Sequence, residues 1–264
     1  MSFTTLLDTL KQSADNRVVA PASWLQGRAT FGGLIGGWVY EAMRKPVPAE
    51  RALRSLSVSF VGPVAAEAAV TFDTEVLRQG GSVTQVQGRA MQDGGVMLAA
   101  LGSFGAPRES RVGVLGASMP AVKPVEQCLE MPMVQGVTPT FAEHFAYRWA
   151  IGDWPFSGSD SREMGGWIRF REPMAGITEG HLLGLVDAWP PAVLPMLKQP
   201  AASSSLCWTI EFPQPLPAIG GDEWLLYRAA VEQAADGYAF IGAQLWTAAG
   251  RLLALSRQTV TVFG

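Results

Sequence analysis

The sequence predicts an α+β protein in which one strand-rich unit occurs twice, and three observations carry that reading. First, much of the chain reads as short runs of alternating apolar and polar residues broken by Gly-containing turns, the pattern of antiparallel strands with one buried face. Second, beyond a short N-terminal helix each half holds a single helix-like stretch, within 27–42 and 179–197, so strands follow strands instead of alternating with helices. Third, the order and spacing of the pieces repeat. Trp38 to Phe60 spans 22 residues and Trp189 to Phe212 spans 23, while Gly81 to Gly94 and Gly237 to Gly250 are both 13. Few residues are identical, so the repeat rests on order and spacing.

The elements follow in order. MSFTTLLDTLKQS reads as a short amphipathic helix; with no basic region and no long apolar run it is not expected to be an export signal. Residues 16–25 read as an opening strand. The stretch 27–42 contains a helix with Gly32-Gly33 near its start and Pro46 and Pro48 beyond its end. Residues 55–60 alternate, and 69–77, 83–91 and 97–104 form three more strands that turn at Gly80-Gly81 and Asp93-Gly94. Residues 106–140 are proline-rich with little periodicity and read as a linker. Beyond it, 145–151 and 166–170 are strands, and 179–197 is largely helical with a bend at Pro190-Pro191. Strands follow at 205–212, 224–232, 238–246 and 252–263. A helix wrapped by a curved antiparallel sheet is the hotdog arrangement, so the expectation is a double hotdog. Its units would be residues 1–105 and 141–264, joined by 106–140, with the two sheets continuous.

Composition narrows the function classes. Hydrophobic residues make up 48% and charged residues 16%, which excludes a disordered chain. A net charge of −3 offers no polyanion-binding surface, so no nucleic-acid partner is expected. No apolar run reaches the length of a membrane span. Cys128 and Cys207 lack metal-ligand spacing, and two reduced thiols in a cytoplasmic protein are expected. His144 and His181 have no triad or metal context and read as structural; no metal and no cofactor is implied. The sequence contains no G-x-S-x-G elbow, no G-x-G-x-x-G and no P-loop, which disfavours an acyl-enzyme serine hydrolase and nucleotide chemistry.

Several ordered segments carry a resemblance. In the first half they are WLQGRATFGGLIGG, PAERALRSLSVSFVGPV and EVLRQGGSVTQVQGRAMQDG; in the second, LLGLVDAWPPAVLP, SSSLCWTIEFPQPL, DEWLLY and GRLLALSRQTV. With these segments the chain resembles the TesB-like (thioesterase II) acyl-CoA thioesterases, over nearly its whole length except the linker. The resemblance implies hydrolysis of a fatty-acyl-type CoA thioester by a water held between an Asp, a hydroxyl and a Gln. By motif position these fall on Asp187, Ser205 and Gln258. The hydroxyl is Ser where the family has Thr, and it sits in a Ser203-Ser204-Ser205 run, so its register is open by a residue or two. Some relatives carry a His near the start of the first-half strand; here the strand reads Ser55, Ser57, Ser59. The resemblance also implies a homodimer.

The chemistry suits these residue types. Burial among Leu182, Leu183, Leu185, Val186 and Trp189 would raise the pKa of Asp187, and hydrogen bonds from Ser205 and Gln258 would favour its anion. Free N–H groups at a helix start are natural oxyanion donors, which points to Gly32 and Gly33 for the thioester carbonyl. The halves differ in polar groups. Gln258 is matched by Gly102 and Asp187 by Gly36 or Gly37, so one site per chain is expected. Two other classes compete. A hotdog dehydratase or hydratase would need a His paired with an acid, which this sequence does not offer. A non-catalytic acyl-thioester-binding or scaffold protein would need no base, and thiol release from an acyl-CoA panel separates it from a hydrolase.

Overall fold

The computed structural model describes residues 1–263. Its strands are β1 (Arg17–Val19), β2 (Leu25–Gln26), β3 (Ala29–Thr30), β4 (Ala52–Phe60), β5 (Ala69–Gln79), β6 (Val83–Gln92) and β7 (Gly95–Gly105). The second half contributes β8 (Leu129–Glu130), β9 (Phe145–Ile151), β10 (Glu163–Phe170), β11 (Ala202–Glu211), β12 (Leu225–Ala235), β13 (Tyr238–Thr247) and β14 (Leu252–Phe263). All but β2 and β3 join one 12-stranded sheet in the order β1-β5-β6-β7-β4-β11-β14-β13-β12-β10-β9-β8, and every pairing is antiparallel. The order mirrors about the β4–β11 seam. The double hotdog is therefore present, with the two sheets continuous as the repeated order and spacing of elements implied.

Local chemistry explains the pieces. Helix α1 (Phe3–Gln12) starts where the Ser2 side chain accepts the Thr5 N–H, and Phe3, Leu6, Leu7 and Leu10 fall on its buried face. Helix α2 (Gly32–Arg44) is buried along nearly its whole length, and its glycines let neighbouring groups approach closely. Helix α3 (Glu179–Asp187) ends at Asp187, and only a separate 3₁₀ turn, Leu194–Met196, follows it. The helix read over 179–197 is thus much shorter, because Pro190-Pro191 ends it instead of bending it. The hairpin turns after β6 and β12 both use Asp-Gly with positive φ: Asp93 51° and Gly94 78°, Asp236 54° and Gly237 78°.

Residues 106–124 contain no regular element, but the proline-rich stretch is not bare linker throughout. Val125–Gln127 forms a 3₁₀ turn, and Leu129 and Glu130 pair with Trp149 and Arg148 as the edge of the sheet. Both histidines are structural. His144 stacks on Trp24 at 4.0 Å, and His181 closes the capping box of α3 with Thr178. Burial keeps His181 neutral, its pKa lowered to about 4. Cys128 and Cys207 are free thiols. Among the described residues no helix is long and apolar enough to cross a membrane.

Candidate active site

Strand register reveals how the two units correspond. Gly102 lies between Leu56 of β4 and Val86 of β6, while Gln258 lies between Trp208 of β11 and Ile241 of β13. Gly102 and Gln258 therefore hold equivalent positions, as the sequence spacing implied. Irregularities fall between Leu53 and Ser55 in one unit and between Ser205 and Cys207 in the other, so Leu53 corresponds to Ser205. The helices correct the third match. Asp187 is the ninth residue of α3, and the ninth residue of α2 is Tyr40, not Gly36 or Gly37. Contacts agree with that alignment: a Cβ on Gly33 would meet Asp187 Cβ at 3.1 Å, and one on Gly180 would meet Glu41 Oε1 at 2.8 Å and Tyr40 Cδ1 at 3.5 Å. The spacing from Trp38 and Trp189 misled because α3 is one turn shorter.

Asp187, Ser205 and Gln258 meet at one place. Gln258 Nε2 donates to Asp187 Oδ1 at 2.8 Å, and Ser205 Oγ donates to Gln258 Oε1 at a longer 3.4 Å. The three form a chain and not a ring. Ser205 does not donate to the carboxylate, contrary to expectation, but orients the amide that does. Among Ser203, Ser204 and Ser205, only Ser205 bonds to Gln258. Burial pushes the Asp187 pKa up to about 7, against the downward pull of the Gln258 amide and the Gly33 backbone N–H. Buried Tyr147 and Tyr227 stand close enough that the Asp187 charge adds to the rise of their own pKa values.

Gly32 and Gly33 open α2 beside this carboxylate. The Leu34 and Ile35 amides bond to Phe31 O at 3.1 and 3.3 Å, leaving those of the two glycines without backbone partners. Gly33 faces the Asp187 carboxylate, whereas Gly32 lines an open cavity. That cavity, about 480 Å³, has one wall from each unit. Ile35, Phe60, Val61, Val64, Met97 and Leu98 make the first wall apolar; Asp187, Ser205, Gln258 and Thr261 are among the residues of the second. Trp149, Trp154, Trp167, Met164 and Met174, the sequence's other candidates for an apolar lining, do not border it.

The sequence reading missed Phe60, Thr30 and Trp189 as site residues. Thr30 Oγ1 and Trp189 Nε1 are buried without a partner, and both residues line the cavity. Their nearness to Gly32 and Asp187 in sequence was the available signal. A second hollow, about 540 Å³, lies across β11–β14, but its Arg257 is paired with Glu232 at 2.6 Å and its Arg228 with Glu163. Among the described residues no three His, Cys, Asp or Glu side chains gather as a metal site.

Residues 20–105 match the acyl-CoA thioesterase N-terminal domain and residues 125–262 the acyl-CoA thioesterase C-terminal domain. The chain belongs to the acyl-CoA thioesterase family. It is a thioester hydrolase. Solved structures share the fold across the whole chain. A hot-dog-fold protein of unknown function from Alicyclobacillus acidocaldarius is 23% identical, with 98% of each chain covered and a TM-score of 0.84. The acyl-CoA thioesterase II TesB2 of Mycobacterium marinum is 20% identical, with 100% of this chain and 99% of that one covered and a TM-score of 0.78. The tesB protein of Mycobacterium avium subs paratuberculosis is 18% identical, with 100% of each chain covered and a TM-score of 0.80. No curated protein matches. This thioesterase thus carries its one Asp–Gln–Ser chain in the C-terminal unit; the N-terminal unit has Tyr40, Leu53 and Gly102 at those positions.

Proposed function

We propose that this thioesterase hydrolyses fatty-acyl-type CoA thioesters with a water activated by Asp187. One observation carries the reading: Asp187 Oδ1 is held by Gln258, while Oδ2 faces the space above Gly32 at the cavity. Oδ2 accepts a proton from water as the water oxygen attacks the thioester carbon. The carbonyl oxygen gains the negative charge and takes the Gly32 N–H, at the positive end of the α2 dipole. Collapse of the tetrahedral adduct breaks the carbon–sulfur bond, and the proton on Asp187 passes to the departing thiolate. Gln258 fixes the carboxylate, and Ser205 fixes Gln258. A pKa near 7 suits a base working at neutral pH. The apolar first wall supports an alkyl chain as the acyl part.

In this reading units 1–105 and 141–264, joined by 106–140, share one centre, and the protein pairs as a homodimer through its sheet faces. Ultracentrifugation giving a monomer mass at micromolar concentration would refute the pairing. For the chemistry, thiol release is followed over an acyl-CoA panel with D187N as control. Turnover by the wild type and its loss in D187N are expected. Binding without release would support instead a non-catalytic acyl-thioester protein.

A further inference from the structure

We propose that Phe60 makes this site selective at the acyl α-carbon, admitting unbranched acyl groups and rejecting α-branched ones. The inference rests on the proposed thioester site and adds its substrate preference. A methyl group placed on the Gly32 α-carbon would stand 2.9 Å from Asp187 Oδ2 and only 3.2 Å from Phe60 Cε1. Base and ring edge are therefore no more than about 6 Å apart across Gly32. Carbon atoms pack at about 3.5–4.0 Å, so the gap takes at most one layer of atoms, and that only if the Phe60 ring gives by a few tenths of an ångström. A flat thioester group fits such a gap edge-on. A tetrahedral carbon with a second substituent does not.

The backbone that carries the ring is held in place. Phe60 ends β4 opposite Leu98, and the next two amides, Val61 and Gly62, both donate to Met97 O, at 2.8 and 3.0 Å. The counterpart of Phe60 in the other unit, Phe212, lies four residues past Trp208 as Phe60 lies four past Leu56. Phe212 is sealed in the core at 3% exposure, while Phe60 is only partly buried and borders the cavity. The same aromatic position is thus core in one unit and cavity wall in the other.

The test compares hexanoyl-CoA with 2-methylhexanoyl-CoA in wild type, F60A and F60L, with folding checked by melting temperature. The expected wild-type preference in kcat/KM for the unbranched substrate is at least about tenfold, the usual worth of one methyl group in an apolar pocket. In both variants that ratio should fall to about threefold or less. A wild type that treats the two substrates alike, or a ratio unchanged in both variants, overturns the proposal. If no thioester is hydrolysed at all, the mechanism has failed and not the slot. The ratio of dissociation constants for the two thioesters, measured by calorimetry on wild type and F60L, then tests the slot: a preference lost in F60L supports it, and equal binding by the wild type overturns it.

Discussion

Gln258 donates to Oδ1 of Asp187 at 2.8 Å, and the other carboxylate oxygen lies beside Gly32 at the cavity. A carboxylate oriented by Gln258 and the Gly33 N–H, with its pKa raised by burial, is poised to take a proton from water. The activity of this thioesterase should rise with pH through about 7, where Asp187 ionises. D187N should lower kcat by about 100-fold or more while the protein still folds. An Asn variant with near-native turnover would remove Asp187 from the chemistry.

The same burial makes Asp187 a cost to stability. Its folded pKa, about 7, lies above the ordinary value of 3.8, so between those pH values the folded chain holds a proton that the unfolded chain has lost. Stability contributed by this group is full at low pH and declines as pH rises through that window. D187N should therefore melt higher than wild type at pH 8, with the gain vanishing toward pH 4. Calorimetric scans across pH test this, and a variant that melts lower at pH 8 contradicts it.

Gln258 and Ser205 should be unequal. Losing the Gln258 donor removes a bond that lowers the Asp187 pKa, so Q258A should move the acid limb of the pH–rate profile upward and lower kcat by about 10- to 100-fold. Ser205 acts through Gln258 over a longer contact of 3.4 Å. S205A should cost about two- to tenfold, the range of one neutral hydrogen bond. A larger loss in S205A than in Q258A would mean that the serine touches water or substrate directly.

The fold was legible because its signals are local. Alternation marked the strands, Asp93-Gly94 and Asp236-Gly237 marked hairpins, and turn spacing aligned Gly102 with Gln258. The helix match was not legible, since Trp38 and Trp189 look equivalent in sequence while α3 stops a turn earlier. Family resemblance singled out Asp187, Ser205 and Gln258, but their linear connection depends on which side chain reaches which, and that is settled only by packing. Phe60 was hidden for a similar reason: an aromatic at a strand end reads as core, as Phe212 is, and only the cavity distinguishes the two.

Glu41 offers a control in the other unit. It is 5% exposed, contacts Lys11 at 3.5 Å, and burial raises its pKa from 4.5 to about 7. The folded state again retains the proton longer, so stability from this group declines as pH rises from about 4.5 to 7. E41Q should raise the melting temperature at pH 8 and leave kcat, KM and the pH–rate profile as in wild type. A displaced acid limb in E41Q would assign to Glu41 the titration that Asp187 is expected to produce.

Gly102 tests whether the first unit is catalytically silent. Its neighbours occupy the space that the Gln258 side chain uses in the other unit: a Cβ there would lie 2.7 Å from Met43 Cε and 3.0 Å from Phe104 Cε2. With Tyr40 and Leu53 in place of the acid and the hydroxyl, this unit has no base at the position of Asp187 and no room for a water-holding amide beside it. G102Q should thus destabilise by about 1–3 kcal/mol through overpacking, seen as a fall in Tm of about 2–4 °C per kcal/mol. It should leave kcat and KM unchanged, because no catalytic group sits there. The complementary measurement is the activity left in D187N. One centre per chain requires that remaining activity to be about 1% or less of wild type. A remainder near one half, abolished by adding G102Q, would show that the first unit also turns over substrate and that the division of labour between the units is wrong.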